Sequence, residues 1–182
     1  MSHSFQVVGI NHEPFQSLFD LTDERLQEYA AKRCFATESP GYPCRISLED
    51  ARVGDELLLL PYWHQPATPP YRASGPIFVR RGVEQRKSPV GELPSCVTHR
   101  LMSVRAYDAS HMMVAASVCE GSAAGEEIQS YFSREAVAYI HLHNAKQGCF
   151  SALVIPVQGL PMITSPLLPV GTGFHVSTSF PS

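Results

Sequence analysis

The chain has 182 residues and a formal net charge of −3; 44% of its residues are hydrophobic and 17% are charged. A chain of this size and composition can bury a core, which argues against a disordered protein. It contains no run of 18 apolar residues and no signal-peptide pattern, so we expect no membrane-spanning helix and a cytoplasmic protein.

The first part of the chain predicts one helix followed by a buried strand. Thr22 is a helix-capping residue type, and apolar side chains then recur at helical spacing, which predicts a helix over 22–35. Two prolines and a glycine within 39–44 end this helix. One short helical turn is expected over 47–51, and the apolar run 56–62 is typical of a buried strand.

The rest of the chain predicts mainly strands. An Asp-Ala-Ser segment between two β-rich runs predicts a hairpin, and the charged, Pro- and Gly-containing region 82–95 is typical of an exposed loop. Acidic residues in a first turn, followed by helical spacing, predict a helix over 125–136. The predicted strands cover 76–80, 97–107, 111–119, 138–143 and 149–157.

These elements predict one α+β domain over residues 1–158, with a mixed or mainly antiparallel sheet and two or three helices. From residue 159 onwards, prolines and glycines separate short apolar pieces. We therefore expect 159–182 to be an irregular C-terminal tail.

Four segments together carry a resemblance to a known family: PGYPCRISLEDARVGDELLLLPY, PYRASGPIFVR, HRLMSVRAYD and AYIHLHNAKQGCF. They resemble a bacterial family filed as domain of unknown function 1203, over about residues 15–155. The resemblance implies a single compact intracellular domain. It implies no activity, and it does not extend to the tail.

The segment HLHNAKQGCF combines the residue types of a binding or catalytic site. His141 and His143 share one face of a strand, with Cα atoms about 6.6 Å apart. Asn144 and Gly148 mark a turn that would return Cys149 towards them. Two histidines and a thiolate would suit a metal with an open fourth position. The alternative is ordinary burial, in which one histidine bonds a backbone carbonyl and the other lines a polar groove.

The cysteines offer a second candidate. All five are scattered without a Cys-x-x-Cys pair, which argues against a disulfide framework or a structural zinc site. Cys44 stands beside Arg45, and a neighbouring cation favours the nucleophilic thiolate. A nearby histidine could act as its base, and Cys149 could form a redox pair with it. The alternative is that Cys44 packs beneath a rigid proline turn.

Charge is unevenly spread along the chain. Residues 66–107 carry seven basic and two acidic residues in an otherwise acidic chain, and arginine suits bidentate carboxylate or phosphate recognition. Arg72, with Tyr71 and Ser74 at a loop-to-strand corner, suits an anion. Arg100 and Arg105 lie on opposite strand faces, so we predict that one of them joins Arg72. The alternative is that these arginines pair with acids, Arg72 with Asp108 for example.

The sequence therefore predicts one polar pocket that binds a small anionic or carboxylate-bearing molecule. A metal- or thiol-dependent enzyme using His141, His143, Cys149 and Cys44 is the first alternative, with Cys44, His143 and Cys149 as catalytic groups. A protein-interaction module that uses the tail is the second. Nucleic-acid binding is not expected, because the chain is not basic overall. The reaction, any cofactor or metal, and the oligomeric state stay open. The predicted ligand-binding residues are Arg45, Tyr71, Arg72, Ser74, Arg100, Arg105, His141 and Asn144.

Overall fold

The computed structural model describes residues 4–68 and 70–157. Two 3-10 helices, Ser17–Asp20 and Gly121–Ala123, accompany the main elements. In chain order the main elements are β1 (Phe5–Val8), α1 (Glu13–Gln16), α2 (Asp23–Gln27), β2 (Lys32–Phe35), β3 (Glu56–Gln65), β4 (Ala73–Arg80), α3 (Ser95–Thr98), β5 (Leu101–Tyr107), β6 (Met113–Glu120), α4 (Ala124–Phe132), β7 (Tyr139–Asn144) and β8 (Phe150–Pro156).

The strands form two sheets. The five-stranded sheet has the order β1-β8-β7-β5-β6, and the three-stranded sheet has the order β2-β3-β4. Every pairing between these strands is antiparallel. The chain is thus a single α+β domain, as the sequence predicts. No helix in the described residues is long and apolar enough to cross a membrane.

Alternation along β7 decides what each face of the five-stranded sheet carries. Ile140 and Leu142 are fully buried and pack in one core cluster with Ile128 of α4. Because strand side chains alternate, His141 and His143 point to the other face. That face meets the three-stranded sheet, and a second core cluster joins β3, β4 and Phe150 there.

The predicted helix over 22–35 is wrong in its second half. Helix α2 ends at Gln27, and Ala30 takes a left-handed backbone with φ of 50°. The chain then enters β2, where Cys34 lies opposite Leu57 of β3. Sheet pairing therefore overrides the helical spacing of the apolar residues, and Cys34 is not on a helix.

Other boundaries differ more modestly. The predicted strand 97–107 begins only at Leu101, because α3 occupies Ser95–Thr98. The predicted hairpin is confirmed as the β5–β6 pair, and the strands over 56–62, 76–80, 138–143 and 149–157 are confirmed within a few residues. The short strand β1 was not predicted. The tail over 159–182 lies outside the described residues.

Candidate functional site

Three histidines from two sheets form a cluster. His141 and His143 project from β7, and β3 brings His64 over them from the three-stranded sheet. The ring centroid of His64 lies 4.9 Å from that of His143 and 6.0 Å from that of His141. The centroids of the two β7 rings are 6.1 Å apart. Phe150 stacks on His64 at 5.4 Å with an interplanar angle of 9°. We call His64, His141 and His143 the histidine cluster.

The histidine cluster is poor in hydrogen-bond partners; His141 and His143 are buried and His64 is half-buried. His141 is 4% exposed and His143 is 1% exposed. The Nδ1 atom of His143 lies 3.0 Å from the carbonyl oxygen of Gly148. A carbonyl only accepts, so Nδ1 carries the proton and Nε2 is the bare nitrogen of the neutral ring. Three buried ring nitrogens have no partner among the described residues: His64 Nδ1, His141 Nδ1 and His143 Nε2.

Burial keeps the histidine cluster uncharged. Burial is the main cause that lowers the pKa of His143 to about 3, and Arg105 lowers it further against the Gly148 hydrogen bond, which raises it. Burial also holds the pKa of His141 well below its ordinary value, with its histidine neighbours and Arg105 adding to the effect. The pKa of His64 is lowered by burial and by Arg105. At neutral pH the cluster is therefore a set of neutral polar rings.

Arg105 lies directly beside the histidine cluster. It pairs with His141 across the β5–β7 ladder, so both side chains share one face. Its Nε donates to Ser103 Oγ at 3.1 Å, and among the described residues it forms no ion pair with a carboxylate. We call Arg105 with the histidine cluster the histidine–arginine face. The titratable side chains that lower the pKa values of these histidines are arginines and other histidines, and no described carboxylate is named among them.

Arg100, by contrast, is a structural residue. Its two terminal nitrogens donate to the two carboxylate oxygens of Asp50 at 2.9 and 2.5 Å, and one of them also reaches the carbonyl of Cys96. This pair is largely buried. A guanidinium held in this way is already neutralised and is not free to receive a ligand.

An aromatic group extends the histidine–arginine face towards β4. Tyr107 and Tyr139 stack with their ring centroids 5.2 Å apart. Their centroids lie 5.0 and 5.2 Å, respectively, from that of His141. Tyr139 Oη accepts from Gln65 Nε2 at 2.6 Å, and burial raises the pKa of Tyr139 to about 12. Tyr71 contacts Tyr107 edge-on at 6.2 Å.

The predicted corner at Arg72 is open to solvent. Arg72 lies over the ring of Trp63 at 4.7 Å and forms no ion pair with a described carboxylate, so the alternative pairing with Asp108 is not found there. Tyr71, Arg72 and Ser74 are all exposed. Through Tyr71 and Tyr107 this corner adjoins the histidine–arginine face.

A second set of predicted residues surrounds the sulfur of Cys149. The turn closes as expected: the backbone N–H of Asn144 donates to the backbone carbonyl of Cys149 at 2.9 Å. Asn144 Nδ2 donates to Cys149 Sγ at 3.4 Å, and Arg45, only 2% exposed, donates to the same sulfur at 3.1 Å. We call Arg45, Asn144 and Cys149 the thiol cluster.

The predicted single pocket is thus divided in two. Asn144 follows His143 in β7, so its side chain points to the opposite face. The histidine–arginine face and the thiol cluster therefore flank the same turn from different sides. Cys44 belongs to neither: it is 1% exposed, it packs in the core that joins the sheets, and its sulfur accepts the Arg80 backbone N–H at 3.3 Å. All five cysteines are free.

His64 was not predicted as a member of the histidine site. The sequence does carry one signal for it, because Leu58, Leu60, Tyr62 and His64 share a face of β3 by alternation. The first three pack in the core between the sheets. Among the described residues, no group of three or more His, Cys, Asp or Glu side chains is arranged to hold a metal ion. The metal alternative therefore gains no support from this geometry.

Fold and site together define a small α+β domain with a neutral histidine cluster beside an arginine that has no acidic partner among the described residues. The family described as protein of unknown function (DUF1203) matches residues 41–155, more than half of the chain. The chain belongs to this family, which confirms the resemblance carried by its four segments. Comparisons with curated proteins and with solved structures give no match.

Proposed function

We propose that the histidine–arginine face binds a small molecule that carries a carboxylate or another compact anionic group. The observation that carries this proposal is Arg105, a half-buried guanidinium without a described carboxylate partner beside three neutral histidines. A partly desolvated guanidinium is costly to leave unpaired, and a carboxylate fits its fork of donors.

The surroundings of Arg105 favour an anion over a cation. Arg105 is the charged side chain that acts on His64 and His141, and no described carboxylate opposes it, so the local potential attracts negative charge. The neutral rings add no fixed negative charge beside the guanidinium. Ser103 and Tyr107 lie next to the guanidinium and provide hydroxyl groups.

The neighbouring aromatic side chains favour a ligand with a flat apolar part. Tyr71 is 37% exposed and Trp63 is 47% exposed. Arg72, lying over Trp63, adds a second guanidinium without a described carboxylate partner. An aromatic carboxylate would combine an ion pair with ring stacking, which proteins use for binding energy.

The test is a calorimetric titration of benzoate, acetate and inorganic phosphate into the wild-type protein and two variants. Arg105→Gln removes the charge, and we expect it to weaken benzoate binding about 10- to 100-fold, because a charge-assisted hydrogen bond contributes roughly 1.5–3 kcal/mol. Arg134→Gln is the matched control: Arg134 is exposed, contacts Tyr131 at the end of α4 and lies away from the face.

Equal affinity of the Arg105→Gln and Arg134→Gln variants would refute the role of Arg105. Absence of saturable binding for all three anions to the wild-type protein would refute the proposal itself. Stronger binding of benzoate than of acetate would assign the aromatic side chains to the site. Stronger binding of phosphate than of either carboxylate would replace the carboxylate with a phosphate.

We also propose a reducing, cytoplasmic location. Its support is that five cysteines remain free in one small domain. Oxidising compartments favour paired cysteines.

A further inference from the structure

The thiol cluster has a feature that anion binding on the other face does not use. Arg45 is almost fully buried, and among the described residues it forms no ion pair with a carboxylate. Its donors go to the carbonyl oxygens of Pro43 and Phe150 and to the sulfur of Cys149. A buried charge needs compensation, and the sulfur is the one partner of these three that can become negative.

Asn144 is a second, independent pointer to chemistry at this sulfur. Its Nδ2 donates to Cys149 Sγ, while its Oδ1 is buried and has no partner among the described residues. Asn144 as a whole is 5% exposed. Two donors therefore converge on the sulfur, and an unused acceptor stands beside it.

Partial exposure to solvent distinguishes Cys149 from the buried cysteines. Cys149 is partly exposed, whereas Cys44 and Cys96 are buried. Cys34 and Cys119 are also partly exposed, but burial raises the pKa of both, and Glu127 and Glu120 raise that of Cys119 further. Cys149 is thus the partly exposed cysteine whose sulfur contacts a guanidinium.

We propose that Cys149 is a site of thiol–disulfide exchange with small disulfides such as oxidised glutathione. The Cys149 thiolate attacks one sulfur of the small disulfide, and the bond between its two sulfurs breaks. The second sulfur leaves as a thiolate and takes up the proton that Cys149 had lost to water. One disulfide is consumed and one mixed disulfide is formed, so no further oxidant is required.

The mixed disulfide changes the protein beyond Cys149 itself. It converts the sulfur that accepts from Arg45 into a disulfide sulfur, which cannot carry negative charge, so Arg45 keeps only its two carbonyl partners. Arg45 bonds the loop before β3 to the first residue of β8. We therefore expect the modified protein to melt at a lower temperature than the reduced protein.

The experiment is site-resolved labelling of the full folded chain with bis(2-hydroxyethyl) disulfide at neutral pH. This probe is uncharged, so the rates do not depend on anion binding at Arg105. Mass spectrometry of peptides over time gives one rate for each cysteine. We expect Cys149 to react at least about tenfold faster than Cys34 and Cys119, which are partly exposed like Cys149. A rate for Cys149 at or below the rates of these two would overturn the proposal.

A variant tests whether the neighbours control the sulfur. Asn144→Asp places a carboxylate beside Cys149, and we expect the Cys149 rate to fall several-fold while those of Cys34 and Cys119 stay unchanged. An unchanged Cys149 rate in a folded variant would overturn the part assigned to the surrounding donors. Faster labelling of Cys34 and Cys119 would report loss of the fold, and the wild-type ranking then decides alone.

Discussion

His143 makes the stability of this domain depend on pH in a way that can be calculated. Its pKa is about 3 in the folded protein, because burial opposes protonation, against an ordinary value of about 6.5 in the unfolded chain. Between these values the unfolded chain binds a proton at this residue and the folded chain does not. Stability is therefore full above about pH 6.5 and is lost as the pH falls towards 3.

The magnitude follows from the two pKa values. At pH 5 the unfolded histidine is almost fully protonated and the folded one is not. Because pH 5 lies about 1.5 units below the pKa of the unfolded histidine, the free energy of unfolding falls by about 2 kcal/mol. His143 is 1% exposed, so solvent screening does not reduce this figure much. His141 shifts in the same direction and adds to the loss.

The assay is urea unfolding at pH 7.5 and pH 5.0 for the wild-type protein and two variants. His143→Asn removes the titrating ring while its amide can still donate to the Gly148 carbonyl, and we expect its pH dependence to be smaller than the wild type by about 2 kcal/mol. His99→Asn is the control, because His99 is exposed. If His143→Asn loses as much stability between the two pH values as the wild type, the buried neutral histidine is refuted.

Three further predictions concern stability and metal content. Asp50→Asn leaves the largely buried Arg100 without its counter-charge, and denaturation should show a loss on the order of 3 kcal/mol, whereas Glu28→Gln in an exposed pair should change little. Leu142→Ala opens a cavity in the core beneath α4 and should cost about 2–5 kcal/mol in the same assay, against a small effect for the exposed Val118→Ala. Metal analysis of protein purified without a histidine tag should find no stoichiometric zinc; one zinc per chain would contradict an anion site at the histidine cluster.

Strand alternation made part of the site predictable. It places His141 and His143 on one face before any tertiary contact is known. It does not apply to Arg100, which lies ahead of β5 and not on it. The same rule assigns Asn144 to the face opposite His143, so the division into two clusters was already contained in the sequence. The expectation of a single pocket followed the closeness of these residues along the chain and neglected their direction.

Contacts between distant segments could not be predicted in this way. His64 joins the histidine cluster because the two sheets pack together, and Arg100 finds Asp50 fifty residues away. Helix α2 stops where β2 pairs with β3, a choice that local helical spacing cannot show. Each of these outcomes depends on the partner element, which one sequence does not specify.

The central claim is that the neutral histidine cluster and Arg105 together receive an anion. The most direct measurement is a ring-nitrogen NMR spectrum of the histidines at pH 6, recorded with increasing benzoate. The account predicts that His141 and His143 are neutral, that His143 carries its proton on Nδ1, and that signals of the histidine cluster move saturably with benzoate while those of the exposed His99 do not. A charged His143 at pH 6, or cluster signals that move no more than those of His99, would contradict it.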